Sequence, residues 1–552
     1  MLNFNKDIII NTNLGKVMGN IINYKNKNLL LFKGIPYAHP PIYSLRWKPP
    51  ILWKSNYSEE IYDATYYRDK PYDVRDMKRV MRTYINNVFN NFNLQIFTKY
   101  FNNKQSEDCL YLNILTSTCE RNKLPVLIYL TDTMFHYNNN DDKFLNKKIV
   151  DNDILIITIN YRLGIFGFYY HDDLNKESKY NTSGNYGIMD VICAIKWIKQ
   201  NIFCYGGDPE NITLIGDGSG ANIIIYLMSN KANEGLFQKV IINSFSFIYN
   251  IRKKSNINIL IADELVGQGN NQILRMRNLS SKEINDKYKK YIVKNDKINY
   301  LSLFNPIIDY NIIMDEPYLI FKENMQINIP VLIGKNLCDG YFLYECGFKN
   351  ILKNPNKDIY FNDKIDELKQ IYKNIDKNNN ISLQKYYDDF LFTMPLFLLM
   401  NLHKKNNKIY IYIYTYKRYK NNLKKSDKLL KSNLINGVYG CASNHFNKCN
   451  DYFKVNNNAH NILINHFCEF IKIDINLYSS LSLKDNSIWY EYNRNYIIYL
   501  GRYSCSKKFD ISKYKLLEDR YLYQLNKYIK ESEKNNINKY IKKIIKNIIK
   551  NI

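Results

Sequence analysis

The 552-residue sequence contains no run of about 18 apolar residues, so it offers no obvious helix to span a bilayer. Its ten cysteines include no C-x-x-C pair and no zinc-ligand spacing, which removes the common small metal modules. The opening residues Met1-Leu2-Asn3-Phe4-Asn5-Lys6-Asp7 lack the charged start, apolar stretch and small-residue cleavage site of a secretory signal. Helix-turn-helix, zinc-finger and RNA-binding signatures are also missing, and no repeat recurs at solenoid periods. A reducing, cytoplasmic setting is therefore expected, although an even cysteine count is compatible with disulfides as well.

What is present is apolar material for a large core: 45% of the residues are hydrophobic and 15% aromatic. The length permits one large α/β domain with insertions or several domains. The net charge of +26 is spread among asparagine, tyrosine and isoleucine, in tracts such as Asn354 to Lys373 and Lys417 to Lys431. Such scatter is compositional bias rather than a nucleic-acid-binding face, and it points weakly to an acidic partner or membrane surface.

Short apolar runs at Val126–Leu130, Ile154–Ile159, Ile212–Ile215, Val240–Ile242, Val331–Ile333 and Ile409–Tyr414 are expected to be buried strands. Between two of them, Ile188, Val191, Ala194, Ile195 and Ile198 recur at helical spacing, predicting a helix over Ile188–Ile202. Alternation of this kind implies a mostly parallel sheet covered on both faces, with chemistry at the turns after the strands. The chain divides into a main domain over 1–530 and a basic amphipathic tail over 531–552. In the tail, Ile541, Ile544, Ile545, Ile548, Ile549 and Ile552 share one helical face. That face suits an anionic membrane, a partner, or packing on the chain's own domain.

Four blocks carry a more specific message. They are Gly34-Ile35-Pro36-Tyr37-Ala38 with Pro40-Pro41 and Leu45-Arg46-Trp47-Lys48-Pro49-Pro50; Ser106-Glu107-Asp108-Cys109-Leu110-Tyr111-Leu112-Asn113; Asn160-Tyr161-Arg162-Leu163-Gly164 with Gly167-Phe168; and Gly184-Asn185-Tyr186-Gly187 with Asp190, continuing to Trp197 and Gly206-Gly207-Asp208-Pro209. In order and spacing the chain resembles the type-B carboxylesterase and cholinesterase family. The resemblance implies an α/β-hydrolase fold: a central, mostly parallel twisted sheet with helices on both faces and large insertions. It also implies buried ion pairs Arg46–Glu107 and Arg162–Asp190, and chemistry that uses no metal or organic cofactor. In secreted members the cysteine matching Cys109 closes a loop with an earlier cysteine, and no cysteine precedes Cys109 here.

The chemical positions depart from the family pattern. An esterase of this fold carries its nucleophile in G-x-S-x-G on a strand-to-helix turn. Here the stretch reads Gly216-Asp217-Gly218-Ser219-Gly220-Ala221, and the family's serine falls on Gly218. A frame shifted by one residue makes Ser219 the fallback nucleophile, with Asp217 and Ala221 at the glycine positions. The family's oxyanion-hole motif H-G-G-G-F matches Thr131-Asp132-Thr133-Met134-Phe135, so the expected oxyanion positions are Asp132, Thr133 and Ser219. The acid matches Asp339, before Gly340; the histidine is His445 counting back from Phe453, or Gly440 reading forward from Gly437-Val438. The leading expectation is a non-catalytic, esterase-like binding or scaffolding module, as the family's adhesion members are esterase-like without being hydrolases. The rival is a carboxylic-ester hydrolase using Ser219, His445 and Asp339; ligand sensing above Gly218 is a third reading that needs an apolar pocket.

Overall fold

The computed structural model describes residues 4–57, 60–72, 104–120, 123–133, 135, 145–245, 257–294, 304–336, 388–403, 409–414 and 457–472. It also describes short strands at 480–482, 488–490, 496–500 and 505–508 and a few single positions, among them 339. The tail over 531–552, and with it the boundary at 530, lies outside the described residues, as do Gly440 and His445.

A 13-stranded sheet organises the described chain. Its strands are β1 (Phe4–Thr12), β2 (Gly15–Tyr24), β3 (Lys27–Pro36), β4 (Ile61–Asp63), β5 (Tyr111–Thr116), β6 (Leu124–Leu130), β7 (Leu155–Ile159), β8 (Gly207–Asp217), β9 (Lys239–Asn243), β10 (Val331–Asn336) and β11 (Ile409–Tyr414). Strands β12 (Ser480–Ser482) and β13 (Ile488–Tyr490) pair separately, while β14 (Tyr496–Leu500) and β15 (Cys505–Lys508) close the far edge. The order is β1-β2-β3-β5-β7-β6-β8-β9-β10-β11-β14-β15, with β4 beside β2. From β7 to β14 every neighbouring pair is parallel. The two edges are antiparallel apart from the short β4, which runs parallel to β2.

All six expected strands form; Ile409–Tyr414 coincides with its strand, and no end of the others moves by more than five residues. The helix read over Ile188–Ile202 is α1 (Tyr186–Asn201), and Ile202 instead opens a 3-10 turn to Tyr205. Alternation along the central strands explains why both faces are covered, because successive side chains point to opposite sides. On one side, Val126, Ile128, Ile212, Leu214, Val240 and Ile242 pack with α1 residues Ile188, Val191, Ala194, Ile195 and Ile198. On the other, Leu127, Tyr129, Ile215, Ile241 and Leu332 pack with Leu463, Ile464, Phe467 and Phe470 of α3 (Asn457–Lys472). Helix α2 (Ser219–Met228) is buried at every position, which explains why Ile223-Ile224-Ile225 shows no polar face.

Two ion pairs tie the loops to this frame. Arg46 donates from Nε and Nη2 to the Glu107 carboxylate at 2.7 and 2.6 Å, and from Nη1 to the carbonyls of Met276 and Leu279. Arg162 donates from Nε and Nη2 to Asp190 at 2.8 and 2.7 Å, and its backbone N–H adds a third bond to the same carboxylate at 3.0 Å. Both pairs are almost fully buried. Bidentate geometry and the additional acceptors offset desolvation, so the pairs fix loop positions that apolar packing alone leaves open. Among the described residues, no helix is long and apolar enough to cross a membrane.

Candidate functional site

Strand β8 ends at Asp217 and α2 begins at Ser219, leaving Gly218 as the one-residue turn between them. Gly218 has φ +52° and ψ −112°, a backbone conformation that side-chain-bearing residues rarely adopt. The turn is tight because Gly220 lies against the end of β6, where a Cβ would meet the Leu130 carbonyl oxygen at 2.2 Å. Gly218 N–H donates to the Asn243 carbonyl at 3.0 Å, and its own carbonyl accepts from Asn222 N–H at 3.0 Å. The apex of the elbow is thus Gly218, and Ser219 is the first residue of the helix.

Asp132 comes from the loop after β6 and fills the space above that apex. A Cβ built on Gly218 would lie 2.5 Å from Asp132 Cγ and Oδ2 and 2.8 Å from Oδ1. The carboxyl is held there by Ser219, whose N–H and hydroxyl donate to Asp132 Oδ1 at 3.1 and 3.0 Å. Ser219 Oγ in turn accepts from Thr133 N–H at 2.9 Å, and the Thr133 hydroxyl pairs with Tyr161 OH at 2.8 Å. A carboxylate at the start of a buried helix meets unpaired N–H groups and the positive end of the helix dipole, which stabilises it. The site therefore presents a carboxylate where an esterase of this fold presents a hydroxyl. The Thr133 and Ser219 N–H groups, two positions expected to serve an oxyanion, are turned onto the protein's own oxygens.

Asp339 sits just beyond β10, buried, accepting from Ser244 Oγ at 2.6 Å, Asn336 N–H at 3.0 Å and Asn336 Nδ2 at 2.8 Å. Lys335 on the same strand pairs with buried Asp388 at 2.8 Å. Below the elbow, Asp217 accepts from Tyr129 OH and from Asn243 Nδ2, the latter at 2.7 Å, and Tyr412 OH donates to Asn243 Oδ1. Sequence reasoning did not identify Ser244, Asn243, Asn336 or Lys335. Ser244 and Asn336 were within its reach, since both stand at carboxyl ends of expected parallel strands. The structure brings Gly218, Ser219, Asp132 and Thr133 into direct contact, and seats Asp339 on Ser244.

Burial pushes the Asp217 carboxyl up to about 7, with the charges of Asp132 and Asp339 adding to the effect against hydrogen bonds from Tyr129 and Asn243. Burial also pushes Asp339 up to about 7; Lys335 opposes the rise and Asp388 supports it. Both groups thus hold a proton in the fold that the unfolded chain releases near pH 4. Folding stability from these two groups is fully present below about pH 4, falls as pH rises toward 7, and is flat above. Relative to the Asp217→Asn/Asp339→Asn variant, the wild-type protein should lose up to about 1.4 kcal/mol per pH unit per carboxyl across that window. Urea midpoints at pH 5 and pH 8 measure the difference, and parallel losses in the two proteins would show that both carboxyls already ionise near pH 4.

A mostly parallel sheet carrying a strand–turn–helix elbow at the carboxyl end of a central strand, with an acid after the second strand onward, defines the α/β-hydrolase class. Within that class the chain belongs to the carboxylesterase family, whose profile, described as "Carboxylesterase family", matches residues 6–501. The para-nitrobenzyl esterase of Bacillus subtilis (strain 168) is 27% identical over 363 residues, which cover 65% of this chain and 66% of that protein. Neuroligin-2 of Mus musculus is also 27% identical, over 365 residues covering 60% of this chain and 41% of that protein. The matched segments thus span less than two thirds of these relatives' own lengths. Among solved structures, a PNB esterase superposes with a TM-score of 0.66 at 22% identity, covering 92% of this chain and 99% of the other. A Geobacillus stearothermophilus carboxylesterase gives 0.68 at 19% over the same shares. At such identities the superpositions establish the fold.

Proposed function

We propose that this chain is a non-catalytic member of the carboxylesterase family that works through its surface as a binding or scaffolding module. The observation that carries the reading is the Asp132 carboxyl lodged against Gly218 and held by Ser219 N–H and Oγ. Three requirements of acyl transfer fail at one place. There is no side chain at the apex, a negative charge stands where negative charge must develop, and the Ser219 hydrogen is directed to a carboxylate rather than to an imidazole. Loss of a nucleophile typically reduces turnover by about 10⁶, and loss of an oxyanion donor by a further 10² to 10³ or so. Meanwhile the scaffold around the site is intact in its buried ion pairs, which is what a protein retained for its shape requires. The net charge of +26 favours an acidic protein or membrane surface as partner.

Turnover of a short-chain chromogenic ester by the purified protein, beside Ser219→Ala, tests the catalytic half of the proposal. The two proteins are expected to match the buffer rate and each other. Hydrolysis by the parent that Ser219→Ala abolishes would establish a displaced nucleophile and overturn the proposal.

A further inference from the structure

The opposite end of the sheet from the elbow carries two thiols outside the site described above, of which Cys204 donates to Asn13 Oδ1 at 3.9 Å. Cys119 lies in the turn after β5, and Cys204 lies in the 3-10 turn before β8. The two turns are in backbone contact. Gly206 adopts φ +87°, and a Cβ there would stand 2.4 Å from the Thr118 carbonyl oxygen and 3.0 Å from that of Glu120, the residues on either side of Cys119. Leu124 N–H donates to the Gly206 carbonyl at 2.9 Å and locks the same junction from the start of β6. Both cysteines are thiols in this structure, both are half-buried rather than sealed in the core, and both pack at the rim of the large apolar cluster. Tyr205, next to Cys204 in the chain, has both sulfurs within its electrostatic surroundings.

We propose that Cys119 and Cys204 are a site of oxidative modification that closes to an intrachain disulfide by exchange with a small-molecule disulfide such as glutathione disulfide. One cysteine, as thiolate, attacks a sulfur of the reagent, breaking its S–S bond and releasing one glutathione thiolate. The second cysteine then attacks the protein sulfur of the mixed disulfide and releases the second glutathione. The two cysteines are oxidised, the reagent is reduced, and the two protein protons end on the two glutathione thiols. Burial, aided by the neighbouring Cys204 thiol, pushes Cys119 up to about 12. Only about one Cys119 in three thousand is then thiolate at pH 8.5, so the exchange is slow and the incubation must run for many hours. The bridge joins turns far apart in sequence, the arrangement in which a cross-link restricts the unfolded chain most.

The test uses the full chain at about pH 8.5 with glutathione disulfide, followed by alkylation of remaining thiols, proteolysis and mass spectrometry. The expected product is a linked peptide pair containing Cys119 and Cys204, absent from Cys119→Ser, with a thermal midpoint raised by about 3 °C in the oxidised parent. Glutathione carried separately on the two cysteines, linkage of either to a different cysteine, or alkylation of both in a protein whose circular dichroism shows an intact fold would overturn it. The linked peptide is read in the parent protein, so the test does not depend on the variant folding.

Discussion

Replacing Gly218 with alanine should lower folding stability by roughly 2 to 5 kcal/mol, combining left-handed backbone strain with overpacking against a held carboxyl. The added Cβ meets φ +52° and the Asp132 carboxyl at 2.5 Å. The substitution is therefore large in effect for so small a change, and Gly218→Ser should behave the same way without producing an esterase. Relief should come from the partner residue: Asp132→Gly in the Gly218→Ala background should recover about 1 to 2 kcal/mol, whereas alone it should destabilise by loss of the Ser219 contacts. Urea unfolding of the four proteins gives the coupling. A Gly218→Ala loss under about 0.5 kcal/mol, or strictly additive effects, would mean that the carboxyl does not occupy the apex.

Asp190→Ala is expected to cost about 3 to 5 kcal/mol, because it strands the Arg162 guanidinium in the core with its chief acceptor gone. Three donors converge on that carboxylate, two from the side chain and one from the backbone of Arg162. The loop after β7 is positioned through these bonds, so the variant should also lose cooperativity of unfolding in the segment around Gly164. A double variant that removes both charges with apolar residues of similar volume should be closer to the parent than the single one. Equal losses in the two would show that the cost is lost packing rather than an uncompensated charge.

The central sheet was legible because its strands are uninterrupted apolar runs, and Ile409–Tyr414 matches the observed strand residue for residue. The antiparallel edge β1–β2–β3 went unread, since Gly15–Tyr24 mixes exposed and buried positions without strict alternation and its pairing depends on neighbours distant in sequence. Gly218 could be named as the nucleophile's position by counting from Gly206-Gly207-Asp208-Pro209. Where the Asp132 side chain goes could not, because it is decided by helix N–H groups that exist only once α2 has docked beside β6. The expectation that Asp132 would stand near the oxyanion site understated the geometry, in which it touches the apex itself. Asn243 and Lys335 were invisible for a similar reason: each matters through a partner, Asp217 or Asp388, brought to it by a separate strand or helix.

The central claim is that this elbow carries no activated serine, and reaction of the folded 552-residue chain with a fluorescent organophosphonate tests it most directly, since the reagent marks serines whose hydroxyl is activated by a base. The account predicts no covalent label in the parent or in Ser219→Ala, with an active serine esterase labelled in the same tube. A label on the parent that disappears in Ser219→Ala would contradict it and make this chain a hydrolase with its nucleophile moved by one residue.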